Sequence, residues 1–224
     1  MSQHLNIDVL DADGAIRESA QAAGLDRGDF LKKGALAGGG LLVGGAFFSQ
    51  YLGTAEAAIS TKRSKKNDGK ILNYALTLEY LEAAFYRQAV DNKAYGSNAD
   101  LQKFAEIVAE HEATHVTFLK KALGSAAIKS PKFDFGKAVT DQATFAATAQ
   151  VLEDTGVSAY LGQVGNIQQK GVLSAAGTIA TVEARHAAWI RFINKDTPAP
   201  AAFDRPKSEK AILKAVTATG FIIS

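Results

Sequence analysis

The stretch Leu101-Gln-Lys-Phe-Ala-Glu-Ile-Val-Ala-Glu-His-Glu-Ala-Thr-His-Val-Thr-Phe-Leu119 decides how the rest of the chain is read. Residues three, four and seven apart share one face of a helix, so Leu101, Phe104, Val108, Glu112, His115 and Leu119 form a single stripe. That stripe is apolar except for a carboxylate and an imidazole, which it aims into a core. Three more segments repeat the oddity. Leu72, Ala75, Leu76, Glu79, Ala83 and Tyr86 align in one; Phe145, Ala149, Leu152, Glu153, Gly156, Tyr160 and Val164 in another; Ile179, Glu183, His186 and Ile190 in a third. Each segment puts one glutamate in its apolar face, and the second and fourth add a histidine three residues on.

The order is itself repetitive. Glu79 and Glu112 are 33 residues apart, Glu153 and Glu183 are 30 apart, and Glu79 and Glu153 are each followed seven residues later by a tyrosine. The chain reads as one helix pair used twice. Metal coordination accounts for the residue types. An i, i+3 pair brings a carboxylate and an imidazole about 4.5 Å apart along the helix axis, so both reach one ion. The other glutamate of each hairpin, Glu79 or Glu153, is then expected to bridge. Four carboxylates balance two divalent ions; without ions, four acids crowded into a low-dielectric interior repel one another and take up protons.

Composition agrees with a folded, helix-leaning chain and excludes other classes. Of 224 residues, 47% are apolar, 21% charged and only 4 are proline, which suits a helical globular protein. A net charge of +2 sets nucleic acid aside as a partner. The absence of cysteine rules out disulfides, thiolate zinc sites and cysteine nucleophiles, so oxygen and imidazole nitrogen must hold any metal.

The periodic segments predict helices over 70–94, 99–123, 141–169 and 174–193, with Asn98 and Thr140 or Asp141 as N-caps and Gly96, Gly124 and Gly171 punctuating helix ends. None shows strand alternation, so the fold class is all-α. Short links make antiparallel hairpins of the first and last helix pairs. The middle link, Ser125 to Thr140, contains Pro131 and extends to ~50 Å, enough to cross the length of a bundle. Residues 194–224 read as a C-terminal extension, with Pro198-Ala-Pro200 leading to a short helix near Ser208 to Val216 that docks on the bundle. The basic run within 58–69 reads as a linker to a bundle spanning 70–193.

Residues 1–57 read as an export signal. The uncharged stretch Gly34 to Phe48 is too short for a spanning helix, follows Lys32 and Lys33, and precedes Ala55-Glu56-Ala57-Ala58, where a cut after Ala57 is expected. Asp26-Arg27-Gly28-Asp29-Phe30-Leu31-Lys32 resembles the twin-arginine export motif, with Gly28 in place of the second arginine. A periplasmic or extracellular location follows; the alternative is an uncleaved tether through residues 34–48, or an N-terminal arm used in assembly.

The four-helix pattern of 70–193 resembles the ferritin-like superfamily, whose di-metal carboxylate site takes one Glu from each of two helices and a Glu-x-x-His pair from each of the others. Carried over, Glu79 and Glu153 match the single-Glu positions, and Glu112, His115, Glu183 and His186 the two pairs. The run Leu72-Asn-Tyr-Ala-Leu-Thr-Leu-Glu-Tyr-Leu-Glu-Ala-Ala-Phe-Tyr86 is similar to bacterial, often exported, ferritin-like domains that include desiccation-related proteins. The resemblance implies an antiparallel four-helix bundle with a long crossover, two iron ions (alternatively manganese), and redox chemistry with oxygen or peroxide of a ferroxidase or dimanganese-catalase kind. A stress-protection bundle with a structural or vestigial site is the competing reading, a storage cage ranks lower, and a homodimer or other small homo-oligomer is expected.

Individual residues divide as follows. Glu82 competes with Glu79 for the ligand role, and Glu79 fits the tyrosine register. His111 lies ~100° from Glu112 around the helix and reads as a partly exposed or hydrogen-bonded histidine outside the site. Tyr86 and Tyr160 are candidate catalytic residues, as hydrogen-bond donors to the ligands or as one-electron donors, with core packing the plainer role. Trp189 reads as core. Arg185 and Arg191 read as surface charges or partners of nearby carboxylates.

Overall fold

A computed structural model of the chain describes residues 58–223, so the signal-like segment and its expected cut after Ala57 lie outside the described residues. Four long helices form the bundle: α1 (Lys65–Asp91), α2 (Ala99–Leu123), α3 (Gln142–Gln163) and α4 (Lys170–Ile193). A fifth, α5 (Glu209–Thr219), follows in the C-terminal extension. No strand occurs among the described residues, where the only pairing is an isolated bridge between Phe133 and Ile222. None of the described helices is long and apolar enough to cross a membrane.

The helix ends follow cap chemistry. The side chains of Asn98, Asp141 and Ser208 accept hydrogen bonds from the backbone N–H of Leu101, Thr144 and Ala211, satisfying donors that a first helical turn leaves free. Two boundaries differ from the pattern of apolar residues. α1 starts at Lys65 rather than near residue 70, because Ser64 caps it and Asn67 and Asp68 in the turn after it are buried. Within that turn Asp68 is fully buried, and its two carboxylate oxygens accept from the N–H groups of Gln168 and Gln169. Asp68 thus stands at the N-terminus of α4, which has no side-chain cap of its own and which favours negative charge there. α3 also ends earlier than residue 169: the chain passes through a 3₁₀ turn at Val164–Asn166 and restarts as α4 at Lys170, so Gly171 lies inside the first turn of α4 rather than between the two helices.

α1 packs chiefly on α2, and α3 on α4, making two hairpins. The link between them crosses lengthwise over α1. Asn73 binds its beginning, donating to the Ala126 carbonyl and accepting from Ile128 N–H; Tyr80 donates to the Ile128 carbonyl. Phe135, at the far end, packs edge-on against Phe85. Near Phe85 lies the larger apolar cluster, in which Phe85, Tyr86, Phe104 and Phe145 are fully buried. Burial of each such side chain contributes roughly 1.5–3 kcal/mol. Trp189 meets Phe104 edge-on on the same cluster. A smaller cluster of Ala75, Leu76, Leu119, Tyr160 and Ile179 forms separately.

The C-terminal extension lies against the bundle. Ile212, Val216 and Ile222 join the larger cluster, and Phe221 and Ile223 exchange backbone hydrogen bonds with Asp134 and Lys132 of the crossover. The approach to α5 crosses α3 at Gly162, where an added Cβ would lie 1.9 Å from the Lys207 carbonyl oxygen; only a residue without a side chain permits this path. Arg191 of α4 pairs with Asp154 of α3 through both Nε and Nη2, a bidentate tie across the second hairpin.

Candidate metal centre

Each helix delivers its glutamate to the bundle interior. Glu79, Glu112, Glu153 and Glu183 have no exposed surface, and His115 and His186 are buried beside them. Their ligand atoms form two groups, each with all atoms within 4.8 Å of one another: Glu79, Glu112, His115 and Glu183 in one, and Glu112, Glu153, Glu183 and His186 in the other. All six residues singled out by spacing therefore converge. The division of labour differs from the simple expectation, since Glu112 and Glu183 are shared by both groups whereas Glu79 and Glu153 each belong to one. The tyrosines explain the difference. Tyr160 donates to Glu79 Oε1 at 2.5 Å and Tyr86 donates to Glu153 Oε1. Each phenol holds one oxygen of its glutamate, leaving that carboxylate a single oxygen to turn toward the site.

The tyrosine contacts are crossed. Tyr86 on α1 reaches the glutamate of α3, and Tyr160 on α3 reaches that of α1, so the sequence duplication becomes an approximate two-fold arrangement around the centre. Burial raises both phenols well above their usual range, with the facing carboxylates, Glu153 for Tyr86 and Glu79 for Tyr160, adding to it. Both remain proton donors at neutral pH.

The imidazoles face more carboxylates than hydrogen bonding can serve. His115 Nδ1 lies 3.2 Å from Glu79 Oε2, 3.2 Å from Glu112 Oε2 and 3.3 Å from Glu183 Oε1, three oxygens from three helices. One ring nitrogen carries either one proton or one lone pair. His186 Nδ1 lies 3.2 Å from Glu112 Oε1 and 3.3 Å from Glu153 Oε2. Yet His186 Nδ1, Glu112 Oε1, Glu153 Oε2 and both Glu183 oxygens have no hydrogen-bond partner. Buried polar atoms left this way are destabilising by about 1–3 kcal/mol each unless something else engages them. Hard carboxylate oxygens with borderline imidazole nitrogens form a donor set that suits iron or manganese, and its orphaned atoms are those an ion would bind.

Electrostatics describe the same strain. Burial, followed by the charge of Glu79, holds Glu112 well above the ordinary carboxyl range; burial, followed by Glu112, does so for Glu183. For Glu79 burial is outweighed by hydrogen bonds to His115, Glu112 and Tyr160, which bring it below that range. Burial likewise works against a charged His115, but its contacts with Glu112, Glu183 and Glu79 push it up to about 12. Protons thus supply the positive charge that the four carboxylates require.

His111 is exposed and hydrogen-bonded, and its partner belongs to the site. Its Nδ1 lies 2.8 Å from His186 Nε2, with the two rings stacked at 5.1 Å. When Nε2 of His186 donates to His111, Nδ1 of His186 is left with its lone pair facing Glu112 and Glu153, the tautomer that binds a metal. Sequence spacing did not disclose this contact, because His111 reaches across to α4 rather than along its own helix. Arg185, one residue before His186, has no contact bearing on the site.

A four-helix bundle with a lengthwise crossover and a buried Glu/His cluster able to hold metal ions is the architecture of ferritin-like proteins. The sequence profile of the ferritin-like domain matches residues 67–196, and the chain belongs to that family. Comparison with curated protein sequences gives no match.

Proposed function

We propose that the chain is a di-metal carboxylate protein that binds two iron ions and engages them in redox chemistry with oxygen or peroxide. The observation that carries this reading is the convergence of buried donors, several of them orphaned: His115 Nδ1 stands within 3.3 Å of carboxylates from three helices, and His186 Nδ1, Glu112 Oε1, Glu153 Oε2 and both Glu183 oxygens have no hydrogen-bond partner. Glu79 and His115 would hold one ion, Glu153 and His186 the other, with Glu112 and Glu183 reaching both. Bound iron would supply one-electron steps between Fe(II) and Fe(III); manganese is the alternative metal. The chain's own residues orient and enclose. Tyr160 and Tyr86 fix the outer carboxylates, His111 sets the His186 tautomer, and the larger apolar cluster excludes water from its side. The same placement makes Tyr86 and Tyr160 the nearest phenols from which an electron and a proton could be drawn, the catalytic role assigned to them in this proposal.

The redox reading is tested by loading the protein with Fe(II) under anaerobic conditions and admitting oxygen or peroxide. Oxidant consumption matched to bound iron, with growth of Fe(III) absorption well ahead of a protein-free control, is the expected result. Bound Fe(II) that oxidises no faster than the control would contradict redox activity and favour a structural, stress-protective bundle. We further propose that the protein is exported, periplasmic or extracellular, and acts as a small homo-oligomer. Mass spectrometry of the natural protein should find its N-terminus at Ala58; a mature chain retaining residues 34–48 would instead support a membrane tether.

A further inference from the structure

The duplicated helix pair makes a prediction that the structure breaks at one place. Three residues after Glu79 stands Glu82; three residues after Glu153, at the equivalent position of the second pair, stands Gly156. Glu82 is 3% exposed. Its Oε1 and Glu183 Oε2 point at the same spot. A Cβ placed on Gly156 would lie 3.4 Å from the first and 2.9 Å from the second. The missing side chain on α3 therefore leaves room chiefly for Glu183 Oε2, with Glu82 Oε1 beside the same gap, and Glu183 Oε2 has no hydrogen-bond partner of its own.

A buried acid in this setting calls for an explanation. Burial first, then the charges of Glu183, Glu153, Glu112 and Glu79, hold Glu82 well above the ordinary carboxyl range. Packing does not need a carboxyl here, since an apolar side chain of similar volume would avoid the desolvation. Glu82 and Gly156 also come from α1 and α3, whereas both histidines come from α2 and α4, so the pair marks the side of the centre that the imidazoles do not cover.

We propose that Glu82 is a seventh protein ligand of the metal centre, joining Glu183 in the gap left by Gly156 and making the two metal positions chemically unequal. This rests on the di-metal reading above and adds an asymmetry that the six-residue pattern lacks. Unequal positions fill in sequence, with one ion held more tightly than the other.

The test is a Co(II) titration of the full chain followed by visible absorption, comparing the unaltered protein with Glu82→Gln and Gly156→Ala. Two Co(II) should bind in two distinguishable steps. Glu82→Gln should weaken one step by about tenfold or more and change its spectrum while leaving the other step within about twofold. Gly156→Ala, which retains the Glu82 carboxyl but crowds Glu183 Oε2 in the gap they share, should perturb the same step. Metal-free Glu82→Gln should melt no lower than the unaltered protein, because it removes a buried acid from among like charges; a purely structural carboxyl would give a lower melting temperature. Two ions bound by both proteins with identical affinities and spectra would overturn the role of Glu82 alone. Failure of the unaltered protein to bind Co(II) would overturn the di-metal reading and this inference with it.

Discussion

Glu112→Ala is expected to remove both metal ions from the protein, lowering each affinity by two orders of magnitude or more. Glu112 is one of two residues common to both ligand groups, with Oε2 facing His115 and Oε1 facing His186. Its loss takes a donor from each ion at once, and loss of even an indirect contact with a ligand commonly weakens metal binding 10–100-fold. The variant should not simply unfold. Glu112 is a fully buried acid held well above the ordinary carboxyl range by burial and by Glu79, so the metal-free protein gains by losing it. Glu112→Gln, which keeps the volume, should melt as high as the unaltered metal-free protein. By contrast, Glu79→Ala should weaken one ion far more than the other, because Glu79 belongs to a single group. Isothermal titration of the variants separates these outcomes, and equal, selective loss of one ion in Glu112→Ala would contradict its shared position.

Metal binding should also raise thermal stability by an amount too large to miss. At 1,000 times the dissociation constant, each ion contributes about 4 kcal/mol. For a folded unit of this size each kcal/mol is worth about 2–4 °C, so two ions predict a rise on the order of 20 °C. The pH dependence has a definite sign. Glu82, Glu112 and Glu183 have folded-state values raised above the unfolded range, so their contribution is complete below about pH 4.3 and fades as pH rises through the folded values. His115 and His186 are also raised and hold protons that the unfolded chain releases near pH 6.5, which acts in the same direction. Glu79, His111 and the exposed Asp141 are lowered and act in the opposite direction. The metal-free protein should therefore melt higher at pH 5 than at pH 8. Saturating metal should reverse the order, because ions compete with protons for the same atoms. Calorimetry at the two pH values, with and without metal, reads all four states; a melting temperature indifferent to metal would make the cluster a packing feature.

The parts of this centre that lie along single helices were legible in the sequence. Glu112 with His115 and Glu183 with His186 are three residues apart, and helical periodicity alone turns them to one face. The caps at Asn98 and Asp141 were legible for the same reason, since each binds a backbone group three residues ahead. Contacts across helices left no such trace. Asp68 sits in a polar, basic run that reads as solvated linker, and only its distance in space to Gln168 and Gln169 shows why a carboxylate is buried there. The crossed pairing of Tyr86 with Glu153 and of Tyr160 with Glu79 was likewise invisible, although the seven-residue spacing marked both tyrosines. Because those phenols hold the outer glutamates, the shared positions fall to Glu112 and Glu183, a reversal that spacing could not supply. His111 and Glu82 have the same character: each faces the centre through a neighbour on another helix.

The most direct measurement is the number of Fe(II) ions that the folded chain binds at equilibrium under anaerobic conditions, determined by dialysis and elemental analysis beside Glu112→Ala. Two ions per chain, reduced to none in the variant, are predicted. Fewer than two in the unaltered protein, or two in both proteins, would contradict a di-metal centre built on Glu79, Glu112, His115, Glu153, Glu183 and His186.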